Sequence, residues 1–151
     1  MNDDQYYMEL ALEEAKKAAD MGEVPIGAIV VKDNQIIGRG FNQRLTSNHV
    51  FAHAEMMAID QACQTLGDWR LEGCSLYVTV EPCAMCSGTM IQARLSRLVY
   101  GTTEPKFGAH QSIVRLFDAD FNHKVEITSG VLATESSNLL KKYYQQLRKQ
   151  K

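Results

Sequence analysis

The chain has 151 residues, 45% of them hydrophobic, and a formal net charge of −2. That length and apolar content suit one globular domain, 1–151, with a real core, and leave no need for a second. No run approaches the roughly 18 apolar residues of a membrane span, and the acidic opening Met1-Asn2-Asp3-Asp4 is unlike the basic start of a secretory signal, so a soluble, cytoplasmic protein with no membrane partner is expected. Four cysteines in such a chain read as thiols or metal ligands, not as a disulfide framework. Every charged residue after Leu140 is basic: Lys141, Lys142, Arg148, Lys149 and Lys151. Such a C-terminal face can meet phosphate, or can simply be the solvated side of a helix.

In chain order, Asp4 to about Met21 has the spacing of an amphipathic helix, with Asn2, Asp3 or Asp4 as caps and Gly22 as its stop. Ala28–Val31 and Gln35–Gly40 are rich in β-formers and flank the turn-former Asp33-Asn34, which predicts a hairpin ending at Phe41-Asn42. Gln43 to Val50 has no periodicity and reads as a loop. From Ala54 to Leu66 the pattern is helical, with Met56, Ile59, Ala62, Cys63 and Leu66 on one face. Trp69 follows as an expected packing anchor. Residues 75–80 read as a strand, and Pro82 suits the first turn of a following helix. Arg97–Gly101 reads as another strand, Thr102–His110 as an irregular stretch, Ile113–Phe117 as a short helix and Val125–Thr128 as a strand-like run. Leu140, Tyr143, Tyr144 and Leu147 form an apolar stripe on a C-terminal helix, where tyrosines are expected in the core. His110 and His123 read as loop or surface histidines.

Two stretches carry chemistry, His53-Ala54-Glu55 and Pro82-Cys83-Ala84-Met85-Cys86. One imidazole and two thiolates are ligands that Zn2+ prefers, and they fill three of four tetrahedral positions, leaving the last for water. Cys63 lies about 15 Å along the helix from His53, and Cys74 is separated from Cys83 by roughly 20 Å of extended chain, so neither completes the set. His49, four residues before His53, stays open as a fourth ligand. The Glu two residues after His53 favours an open, catalytic site, since a structural zinc site does not need it. At a helix start the positive dipole end and free N–H groups favour thiolate over thiol at Cys83 and Cys86.

These motifs, with Val24-Pro25-Ile26-Gly27, Gly40-Phe41-Asn42, Leu76-Tyr77-Val78-Thr79 and Asn122-His123-Lys124-Val125, resemble those of the bacterial tRNA-specific adenosine deaminases in the cytidine deaminase-like superfamily. The resemblance covers most of the chain. It implies an α/β three-layer fold with a central five-stranded mixed sheet between helices, and one Zn2+ per subunit on His53, Cys83 and Cys86. It implies Glu55 as proton shuttle and Asn42 as a contact to the flipped adenine. The implied reaction is hydrolytic deamination of the wobble adenosine of a tRNA anticodon stem-loop to inosine, by a homodimer. Glu104, Lys106, Phe107, Lys141, Lys142, Tyr144 and Arg148 are then candidates for contact with RNA. Glu104, Phe107 and His110-Gln111 depart from the residues common in the family. A zinc deaminase of a free nucleobase, nucleoside or nucleotide, and a non-enzymatic zinc-stabilised RNA-binding module, are the competing readings of the same motifs.

Overall fold

The computed structural model describes residues 3–150; Asn2, a candidate cap, and the basic Lys151 lie outside the described residues. Helix α1, Asp3–Asp20, buries Tyr7, Met8, Ala11, Leu12, Ala15 and Ala18, spaced at three and four as on the inner face of a surface helix. Asp3 and Asp4 lie inside its first turn. Asp4 accepts N–H groups of Arg97 at 2.8 and 2.7 Å and the Tyr77 hydroxyl at 2.8 Å, which ties the helix to the sheet.

Strands β1, Gly27–Lys32, and β2, Gln35–Phe41, form the expected hairpin. Asp33 and Asn34 between them adopt φ of 50° and 64°, the left-handed pair that a two-residue hairpin turn requires. Strands β3, Ser75–Val80, β4, Arg97–Thr102, and β5, Glu126–Thr128, complete a sheet in the order β2-β1-β3-β4-β5. β1 runs antiparallel to both its neighbours, whereas β3, β4 and β5 are mutually parallel. Helices α3, Ala54–Leu66, and α4, Ala84–Gln92, cover one face, and α1 and α5, Ala133–Lys149, cover the other. Ala28, Val30, Leu76 and Val78 face α3 and α4, while Ile29, Val31, Tyr77 and Val99 face α1. That alternation is the period-two geometry of a strand buried on both sides. The three-layer α/β fold implied by the resemblance is therefore present. Among the described residues no helix is long and apolar enough to cross a membrane.

Close packing places α3. Gly40 of β2 meets it so tightly that a Cβ there would lie 2.3 Å from the Ala54 carbonyl and 2.7 Å from the Ala58 nitrogen. The N-terminus of α3 is thereby fixed against the sheet.

Several local expectations are corrected. The stretch 43–50 is not wholly irregular: Arg44–Ser47 forms a one-turn helix, α2. Pro82 lies outside α4, one residue before its N-cap Cys83. Trp69 is 58% exposed with the Arg70 guanidinium 5.5 Å from its ring, so it anchors no core. Of the expected helix at 113–117 only residues 116 and 117 are helical, in the 3-10 turn Leu116–Asp118. Ser136 is the one buried residue of α5 among those described, so the apolar stripe is not core: Tyr144 and Leu147 are exposed and Tyr143 is half-buried. His110 and His123 do lie in irregular backbone and are half-buried, with the His110 Nδ1 2.6 Å from the Tyr100 hydroxyl. His123 donates from Nε2 to the Leu95 carbonyl at 2.7 Å.

Candidate active site

The site forms where β3 ends and α3 and α4 begin, at the carboxyl end of parallel strands where α/β sheets place their ligands. His53 is the N-cap of α3 and Cys83 the N-cap of α4, and neither side chain caps its helix. Both are left free for another task, whereas a typical N-cap side chain would be spent on the first-turn N–H groups. Cys86, one turn into α4, is buried beside them. The His53 Nδ1 lies 3.6 Å from Cys83 Sγ and 3.5 Å from Cys86 Sγ.

Those distances test the metal. A sulfur at about 2.3 Å and a nitrogen at about 2.0 Å from a tetrahedral ion lie roughly 3.5 Å apart, so both His–Cys separations match those around Zn2+, and the three ligand atoms all lie within 4.8 Å of one another. Among the described residues they are the group of His, Cys, Asp and Glu side chains placed to share an ion; His49 is not part of it and instead stacks on Phe51 at 5.1 Å.

Electrostatics divide the two cysteines. Hydrogen bonding from Cys86 and then from His53 brings the Cys83 thiol down to about 4, against the effect of burial. The hydrogen bond to Cys83 and burial push Cys86 well up. His53 is raised, chiefly by its hydrogen bond with Cys83. Glu55, in the first turn of α3 and 4% exposed, is pushed up to about 7, first by burial, with the Cys83 charge adding and its own backbone N–H opposing. A carboxyl near neutrality can both take and give a proton.

These groups lie at a cavity of about 340 Å³, within the range of small-ligand sites. Val24, Ile26, Ala54 and Val80 give it apolar walls, and Asn42, His53, Glu55 and Cys83 give it polar groups. Asn42 is buried; its Oδ1 accepts the Arg44 N–H at 3.2 Å, while its Nδ2 has only a long 3.5 Å contact with the Val24 carbonyl. Glu104, Lys106 and Phe107 line the cavity from the β4–β5 connection, and Tyr144 lines it from α5. Lys141 and Arg148 fall three and four residues from Tyr144, on its face of the helix. Lys142 does not; it lines a second cavity of about 550 Å³ between α1 and α5, shared with Glu9, Glu13 and Glu135.

Sequence reading alone missed Arg44 and the buried Glu81, which also line the pocket, and the buried carboxylate Glu23 beside it. Glu23 accepts the N–H groups of Leu45 and Thr46 and the Thr46 hydroxyl, and so fixes α2 beside Asn42. Glu81 binds the opposite wall. Burial pushes its carboxyl up, but hydrogen bonds from Gln111, Ser112 and Glu104 outweigh that and hold it below the usual carboxylate range. A signal for Glu81 is visible, an acid closing an apolar strand directly before Pro82-Cys83; Glu23 and Arg44 give none.

Comparison with known proteins bears on this geometry. Residues 1–148 match the family described as MafB19-like deaminase. The chain is 47% identical over 152 residues to a tRNA-specific adenosine deaminase of Bacillus subtilis, covering 100% of this chain and 94% of that one. It is 44% identical over 147 residues to a tRNA-specific adenosine deaminase of Streptococcus pyogenes, covering 97% and 92%. A solved structure from studies of A-to-I editing by tRNA deaminases at the wobble position superposes with a TM-score of 0.87 at 46% identity, covering 89% of this chain and 99% of that one.

Proposed function

We propose that this chain, which belongs to the MafB19-like deaminases and within them to the tRNA-specific adenosine deaminases, converts the wobble adenosine of a tRNA anticodon loop to inosine with release of ammonia. The observation that carries the reading is the convergence of His53, Cys83 and Cys86 with the buried Glu55 in one nucleoside-sized cavity. The reaction adds water across the ring C6–N1 bond of adenine and breaks the exocyclic C6–N bond, releasing ammonia.

His53, Cys83 and Cys86 would hold Zn2+, which supplies Lewis-acid activation of the attacking water. Glu55 moves the protons. Buried beside the ligands, its carboxylate takes a proton from the attacking water and delivers it to the ring nitrogen N1 as C6 becomes tetrahedral, then takes the proton of the new C6 hydroxyl and passes it to the departing amine, leaving the C6 carbonyl and ammonia. Its burial excludes competing solvent protons from that transfer. Asn42 presents an amide whose Nδ2 is only weakly engaged, suited to hydrogen-bonding the edge of an extruded base. The apolar walls take the faces of the purine.

An anticodon-loop base is already unpaired, so its extrusion costs only a few kcal/mol. Arg44 and Lys106 at the pocket, with Lys141 and Arg148 on the Tyr144 face of α5, supply positive charge for the neighbouring phosphates. The same reading makes the chain a single zinc-dependent domain acting in the cytoplasm as a homodimer, with Leu45, Val50 and Phe51, exposed beside the pocket, as apolar surface for the second copy. The test is ammonia and inosine formation on an anticodon stem-loop with wobble adenine, run beside free adenosine, cytidine and guanine. Inosine from the RNA alone is expected. Turnover of a free base or nucleoside alone would keep Glu55 in its role and discard the RNA substrate, and no ammonia from any substrate by the zinc-loaded chain would refute the enzymatic reading.

A further inference from the structure

The wall of the pocket that carries Glu104, Lys106 and Phe107 belongs to the β4–β5 connection, residues 103–125, whose only helical turn is Leu116–Asp118. Connections beyond about 12–15 residues without structure of their own are uncommon in compact domains. Something must hold this one in place. One side chain gathers much of it: Glu81, 3% exposed at the end of β3. Its Oε2 accepts the backbone N–H groups of His110, Gln111 and Ser112 at 3.0, 2.9 and 3.1 Å. Its Oε1 accepts the Glu104 N–H at 3.0 Å and the Ser112 hydroxyl.

Gly108 admits the carboxylate, since a Cβ there would lie 2.4 to 2.5 Å from the carboxylate atoms. The backbone adds two ties to the ligand segment: the Ala109 N–H donates to the Pro82 carbonyl at 2.9 Å, and Gly108 forms a β-bridge with Cys83. An acceptor-only group thus faces five donors, four of them backbone N–H groups of an irregular segment that has no strand partner to satisfy them.

Resting on the tRNA reading above, we propose that Glu81 is a positioning residue for RNA recognition: its carboxylate holds the wall bearing Glu104, Lys106 and Phe107 in register with His53, Cys83 and Cys86. The wall that meets the RNA is then ordered before substrate arrives, and binding is spared the cost of ordering it. Glu81 acts through that wall and not on the reacting atoms, so its loss is read in substrate binding more than in turnover.

The experiment compares the zinc-loaded full chain with Glu81→Gln, Phe107→Ala and the double variant on the anticodon stem-loop, with zinc content and amide hydrogen exchange measured on each. Glutamine keeps an oxygen for one set of donors but turns an N–H toward the other. Expected are one zinc per chain, faster exchange at 104 and 110–112, KM raised about tenfold and kcat within about twofold. In the Phe107→Ala background the same change should raise KM by less than in the wild-type chain, because one of the contacts through which it acts is already gone. Unchanged KM in Glu81→Gln, or a kcat loss at constant KM, would overturn the inference while leaving the substrate reading intact. A wild-type chain inactive on the stem-loop would overturn the substrate reading and the recognition role together. Should Glu81→Gln fail to fold, Ser112→Ala, which removes only the hydroxyl donor, decides in the same assay: KM up about threefold supports the role, and unchanged KM overturns it.

Discussion

Gly40→Ala is the perturbation whose effect can be followed furthest from the coordinates. The added Cβ would lie 2.3 Å from the Ala54 carbonyl oxygen, 2.7 Å from the Ala58 nitrogen and 2.7 Å from the Met57 Cβ, where ordinary contact begins at 3.4 Å. None of these atoms can swing aside, because two are backbone and the third is fixed to it. Relief requires α3 to move about 1 Å from β2, and overpacking of this kind costs about 1–3 kcal/mol. For a domain of this size each kcal/mol lowers Tm by about 2–4 °C, so a fall of roughly 2–12 °C is expected. The end of α3 that must move carries His53 and Glu55, and a displacement near 1 Å at a catalytic centre costs about 100-fold. Thermal denaturation, zinc per chain and kcat/KM on the stem-loop would be measured together. Gly88→Ala in α4 is the control: nothing lies within 4 Å of its added Cβ, so replacing a helical glycine should stabilise by about 0.5–1 kcal/mol. A Gly40→Ala chain with wild-type Tm and wild-type kcat/KM would refute the claim that this contact seats the site.

Glu55→Ala should keep its zinc and lose deamination by about 100- to 10,000-fold, the usual contribution of a general acid–base; activity near wild type would remove Glu55 from the mechanism. Cys83→Ala should lose zinc, as seen by metal analysis, and with it stability, because one thiolate and one imidazole remain. Glu23→Ala strips three donors of α2 of their buried acceptor and should destabilise by about 1–3 kcal/mol, with a raised KM since Asn42 and Arg44 flank that turn; an unchanged denaturation midpoint would show that water replaces the carboxylate at no cost. Hydrogen bonding from Arg97, opposed by burial and aided by Tyr77, holds the Asp4 carboxyl below its ordinary value. Because the folded value is depressed, this stabilisation is complete above the unfolded value near about 4 and is lost as pH falls through the folded one. The Tm gap between wild type and Asp4→Asn should therefore be widest near neutrality and close in acid, and a gap independent of pH would contradict the assignment.

The ligand set and its chemistry were legible in the chain because they are local. His53 and Glu55 are two residues apart, Cys83 and Cys86 three, and each pair sits at a helix start marked by a change of periodicity. The hairpin, the strand at 75–80 and the helix at 54–66 were legible for the same reason, since period and turn chemistry are properties of neighbouring residues. What joins His53 to the cysteines across thirty residues is packing, and that was decided only in three dimensions: Gly40 lets α3 close on the sheet, and β3 delivers Pro82-Cys83 beside it. Burial of charge was harder to see. Glu23 looks in sequence like any exposed acid, and Glu81 is marked only by its place before Pro82-Cys83, yet each is enclosed because backbone N–H groups without other partners, those of α2 for Glu23 and of the irregular β4–β5 connection for Glu81, fold around the carboxylate. The apolar stripe of the C-terminal helix misled in the opposite sense, since periodicity reports that a face is apolar and not whether this chain covers it; Tyr144 stands at the pocket, half exposed, and Leu147 is exposed too.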